Sequence, residues 1–113
     1  MEQEGIFKGG TLIINLDSIE MIGSDYVFAK GDKVRIALKP YDTSEENVLY
    51  DEITPTVGET KVQKIFTAEE TKEKLELSEN YVLQADLINS KGTFPMLLQK
   101  LKVIGIAIVP SEK

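Results

Sequence analysis

The dominant pattern along the chain has a period of two. In Lys33-Val34-Arg35-Ile36-Ala37-Leu38-Lys39, the apolar Val34, Ile36 and Leu38 fall on one side, and Lys33, Arg35 and Lys39 on the other. That alternation predicts a strand with one face in a core and one in water. Gly31-Asp32 introduces it, and Pro40 stops it because proline has no amide hydrogen for a ladder. The same reading predicts strands over Thr11–Leu16, Asp25–Phe28, Asn47–Ile53, Lys61–Phe66, Tyr81–Ile88, Thr93–Leu98 and Lys100–Val109. Ser90-Lys91-Gly92 separates two of these as a hairpin turn.

One stretch departs from the alternation. Thr67-Ala68-Glu69-Glu70-Thr71-Lys72-Glu73-Lys74-Leu75 predicts a short helix. Thr67 is placed to cap it, with Glu70 three residues later completing a capping box. Glu69 and Glu70 suit the positive helix N-terminus, and Lys72 and Lys74 the negative C-terminus. At about two turns the helix cannot stand alone and must dock on the sheets. Many short strands, frequent turns and one short helix point to an all-β sandwich of about seven to eight strands. One domain is expected over residues 1–113, with an ordered core over about 6–109 and frayed ends. Tyr81 reads as a core or corner tyrosine.

The C-terminal run is anomalous. Leu101 and Val103 share one parity, with Lys100 and Lys102 opposite. From Ile104 onward the other parity fills as well, with Ile104, Ile106 and Ile108. Two explanations fit. A β-bulge near Ile104 shifts the alternation, or a second subunit or domain covers the other face. Pro95 places its strand at a sheet edge, and the neighbouring Met96, Leu97 and Leu98 then belong to the same candidate contact surface.

Composition narrows the chemistry. The chain has no cysteine and no histidine. Thiolate nucleophiles, cysteine-ligated metals and Ser-His-Asp or Cys-His catalysis are therefore excluded. Thirteen basic against 19 acidic residues leave a net charge of -6, and Arg35 is the only arginine. Such a surface repels phosphate backbones and anionic lipids, so neither nucleic acid nor membrane is an expected partner. No apolar run approaches the ~20 residues of a membrane span. Met1-Glu2-Gln3-Glu4 is acidic where a secretory signal would be basic and then apolar.

The remaining candidate sites are weak. Asp42-Thr43-Ser44-Glu45-Glu46-Asn47 is rich enough in oxygen for calcium but lacks the alternating aspartate spacing of a calcium loop, and a solvated turn is the simpler reading. Tyr41 and Tyr50, with Asp42 and Glu46, form the candidate set for a carbohydrate or other ligand, although tryptophan, the usual sugar platform, is absent. A carboxylate pair acting on a glycoside ranks lowest, since 19 acidic residues supply such pairs by chance. Lys8-Gly9-Gly10-Thr11 precedes a strand rather than a helix, so it makes no phosphate cradle. No catalytic residue, metal or cofactor is expected.

Four stretches together resemble immunoglobulin-like modules encoded in tailed-phage and prophage structural regions of Gram-positive bacteria. They are Gly9-Gly10-Thr11-Leu12, Tyr26 to Arg35, Phe66-Thr67-Ala68-Glu69-Glu70-Thr71 with Leu77, Tyr81 and Val82, and Leu87 to Gly92 with the final strand. The span is similar to the N-terminal domain of phage baseplate upper proteins, with Gly10 in place of the usual aspartate and Leu83 in place of an aromatic. The resemblance implies an immunoglobulin-like fold and a non-enzymatic role in a virion tail or baseplate. Its implied partners are proteins, either further copies of the chain or tail and baseplate components. It further implies a chain made in the bacterial cytoplasm without a signal peptide and assembled into a virion.

Overall fold

A computed structural model describes residues 3–18, 26–41 and 47–107, with side chains from Gly5 onward. Among the described residues, seven strands and one helix follow in the order β1 (Gln3–Lys8), β2 (Leu12–Asp17), β3 (Lys33–Pro40), β4 (Leu49–Ile53), β5 (Lys61–Phe66), α1 (Ala68–Lys74), β6 (Asn80–Asn89) and β7 (Gly92–Ile106). They form a five-stranded sheet, β1-β7-β6-β3-β4, facing a two-stranded sheet, β2-β5. All pairs are antiparallel except β1 with β7, which is parallel. This is the all-β sandwich with one short helix that the alternation pointed to.

The core is the sum of the inward parities. Val34, Ile36 and Leu38 of β3 meet Leu83, Ala85 and Leu87 of β6, while Ile14 and Leu16 of β2 and Val62 and Phe66 of β5 close over them. Phe28 and Leu75 fill the ends. Burying such side chains is the main stabilising term, at ~1.5–3 kcal/mol each.

The helix forms as its sequence dictates. The Glu70 amide donates to Thr67 Oγ1 at 3.2 Å, and the Thr67 amide donates to Glu70 Oε1 at 2.9 Å, closing the capping box. The helix docks on the β1–β2 corner through buried Thr71, whose hydroxyl donates to the Gly10 carbonyl at 2.7 Å and accepts from the Gly9 amide at 3.1 Å. Gly9 sits at φ +83°, where a side chain would be strained, so the corner needs glycine. Lys8 Nζ reaches the Leu75 carbonyl at the helix C-terminus, at 2.7 Å. Tyr81 is a corner tyrosine: buried at the start of β6, its hydroxyl accepts the Glu76 amide at 2.8 Å.

Several expectations are corrected. β1, over Gln3–Lys8, was not predicted. The separate strands over Thr93–Leu98 and Lys100–Val109 are one strand, β7, whose last residue is Ile106. Tyr26–Phe28 forms no strand, and Asp25 lies outside the described residues. The Phe28 backbone instead donates to the Glu59 carbonyl at 2.9 Å and accepts from the Gly58 amide at 2.8 Å, pinning the β4–β5 connection.

Candidate interaction surface

The C-terminal anomaly resolves into a bulge. Ile6 pairs with Val103 but Phe7 pairs with Gly105, so Ile104 is the extra residue on β7. Both Ile104 and its neighbour Phe7 then lie on the outer face of the large sheet. A Cβ on Gly5 would come within 2.5 Å of Ile104 Cδ1, and one on Gly105 within 3.1 Å of the Phe7 ring. Each glycine therefore makes room for the large residue across from it. Phe7 and Ile104 remain 51% and 57% exposed, side by side.

The bulge also separates the isoleucines that sequence parity grouped together. Ile106 pairs with Lys8, the residue after Phe7, and so stands on the face opposite Ile104. Ile106 is exposed as well, and Ile108 lies outside the described residues.

The Pro95–Leu98 group divides similarly. β1 pairs with β7 only from Lys100 onward, so Pro95 stands where β7 is an edge, as a proline requires. A second register shift, between Ala85 and Asp86, leaves Met96 unpaired and turns it into the core at 6% exposure. Met96 is thus corrected from a contact residue to a core residue. Leu97 packs against that core, while Leu98 is exposed on the outer face.

The ligand candidates are only partly brought together. Tyr50 pairs with Ala37, an outward position of β3, and Tyr41 continues the same parity beyond Pro40. Both are exposed, and Lys100 Nζ lies 4.1 Å from the Tyr41 ring centre. Asp42 and Glu46 lie outside the described residues, as does the calcium candidate apart from Asn47. Among the described residues, no three acidic side chains converge in a way that could hold a metal ion.

Asp32 forms the main buried polar cluster. It is buried, and it accepts from the Tyr26 hydroxyl at 2.7 Å, the Ala29 amide at 2.8 Å and the Asn89 side-chain amide at 3.0 Å. Burial alone would raise its pKa, but these donors, with Lys91 nearby, outweigh it and hold the carboxyl below the ordinary aspartate range. Burial and the Asp32 carboxylate raise the Tyr26 pKa in turn. Every buried side-chain polar atom among the described residues has a partner, so the cluster serves as a clasp between the segment before β3 and the β6–β7 hairpin.

The two flanks of the sandwich differ. At β4–β5, Asp51 and Lys64 form an inter-sheet ion pair at 2.8 Å, and Lys64 also lies over the Phe66 ring. The lysine holds the Asp51 pKa down. At the β2 flank, a groove of ≈ 320 Å³ runs between β2 and the inner face of the large sheet, lined by Ile6, Leu12, Ile14, Leu97, Gln99 and Leu101.

No family model matches the chain, and no curated protein or solved structure does either.

Sequence reasoning missed Phe7, because β1 went unrecognised. The available signal was the pair Ile6-Phe7 immediately before the Gly9-Gly10 turn.

Proposed function

We propose that this chain is a non-enzymatic structural and assembly module of phage or prophage virion type, associated with a tail or baseplate, that works through protein–protein contacts. The observation that carries the reading is the Phe7–Ile104 pair, two large apolar side chains held adjacent and half-exposed by glycines opposite them. Adjacent exposed apolar groups on a small domain mark an interaction surface more often than isolated ones do. The family resemblance of residues 9–108 supports the virion setting, and the absence of histidine and cysteine favours contact over catalysis. Another copy of the chain is the proposed occupant of this face. Light scattering during size exclusion tests it: Phe7→Ser with Ile104→Ser is expected to reduce an oligomer to a monomer. An unchanged mass in that variant rejects the face.

A second reading is a carbohydrate- or ligand-binding module, favoured by the shared outward placement of Tyr41 and Tyr50. Binding on a glycan array that is lost in Tyr41→Ala and Tyr50→Ala would establish it. Silence on the array counts against it.

A further inference from the structure

The smaller sheet has two strands, whereas the sheet it covers has five. Two strands cannot cover five, and the uncovered part falls along β2. The β2–β5 ladder fixes which groups point there. The Ser18 amide donates to the Thr60 carbonyl at 2.7 Å, directly continuing the Asp17–Lys61 register. In an antiparallel pair, bonded and non-bonded positions alternate. Even-numbered residues of β2 therefore bond to β5, and Ile13 and Asn15 turn their N–H and C=O groups away from it. Among the described residues, no strand pairs with that side of β2.

The edge and the groove coincide. Leu12 to Asn15 form one wall of the groove, and Ile6, Leu97 and Leu101 form the other. Its volume lies at the lower end of the ~300–1,000 Å³ typical of ligand clefts. A row of unpaired backbone groups beside an apolar trough specifies the secondary structure of its occupant. An added strand satisfies the backbone and sends every second side chain into the trough. The opposite flank is bridged by the Asp51–Lys64 ion pair. The chain's net charge of -6 favours basic residues on the occupant's solvent-facing positions.

We propose that the open edge of β2 accepts an extended segment of a partner protein, alternating apolar and basic residues, as a third strand of the smaller sheet. The proposal rests on the assembly reading above and names a second contact, distinct from the Phe7–Ile104 face.

The test uses the full chain and short synthetic peptides that alternate Val or Ile with Lys or Thr, followed by amide hydrogen exchange and chemical shifts. The Ile13 and Asn15 amides are expected to exchange rapidly in the free protein and to become protected on peptide addition. Asn15→Pro removes a donor that the β2–β5 ladder does not use, so it should weaken binding by about tenfold or more with little loss of folding. Peptides N-methylated on alternate amides should also fail to bind, a control that leaves the protein untouched. No binding at millimolar peptide, binding indifferent to both changes, or Ile13 and Asn15 amides already protected in the free protein would each overturn the proposal. Self-association that disappears in Asn15→Pro would assign the edge to a second copy and overturn it too. The oligomer mass, measured on the same samples, separates the two readings. An intact assembly without peptide binding rejects the edge alone, and a monomer that binds peptide rejects self-assembly alone.

Discussion

At the scale of single residues, two polar contacts carry testable weight. Tyr81 is buried, and its hydroxyl is the partner of the Glu76 amide. Tyr81→Phe keeps the ring and removes the acceptor, so it should cost about 1–3 kcal/mol in urea unfolding if that amide is left unpaired. A loss near zero would mean that water replaces the hydroxyl. Asp32 makes a prediction about pH. Its folded-state pKa is depressed below the ordinary value of 3.8. Its contribution to stability is therefore present above the unfolded-state pKa and is lost as pH falls from about 4 through the lower folded value. Asp32→Asn should lower the melting temperature at neutral pH and flatten its decline in acid. A variant that keeps the wild-type acid profile would remove Asp32 from that role. Tyr81 was legible as a corner residue, since it follows the helix and opens a strand. The Asp32 clasp was not, because beside Tyr26 and Ala29 it needs a donor from Asn89, 57 positions away.

At the scale of elements, legibility followed the strength of the local signal. β3, β5 and α1 were read close to their observed bounds because alternation or a capping box marks each of them. Thr67→Ala should destabilise the protein by about 1 kcal/mol, read as a lower urea midpoint, because the cap satisfies an otherwise unpaired amide. β1 was missed because its only two large apolar residues are Ile6 and Phe7, and its strand character comes from pairing with a segment about 100 residues later. β7 was split at Gln99, where the apolar run Met96-Leu97-Leu98 gives way to Gln99-Lys100, and not at Pro95. The strand passes through Pro95 by placing the proline at an edge beside a bulge. The Ile104 bulge was one of two explanations that the sequence pattern left open. The pattern could not show that the bulge sends Ile104 and Ile106 to opposite faces, since that depends on the register with β1. Gly5→Ala should displace the whole Ile104 side chain, read as altered methyl shifts at Ile104, because the added Cβ would meet its Cδ1 at 2.5 Å and its two Cγ atoms at 3.1 and 3.2 Å.

At the scale of the whole molecule, and among the described residues, the sandwich is bridged on one flank by an ion pair and carries a groove on the other along β2, and its large sheet presents an apolar pair on the outside. Residue types alone could not separate Met96, in the core, from Leu98, on the surface, because the bulge at Met96 itself turns that residue inward while Leu98, two positions on, faces out. The exposed face at Phe7 and Ile104 is the proposed seat of another copy of the chain. The most direct test is the solution mass by light scattering during size exclusion over a range of concentrations. A concentration-stable multiple of the 12.6 kDa chain is expected, falling to the single-chain mass in Phe7→Ser with Ile104→Ser. A mass of 12.6 kDa for the unaltered protein at every concentration would contradict it.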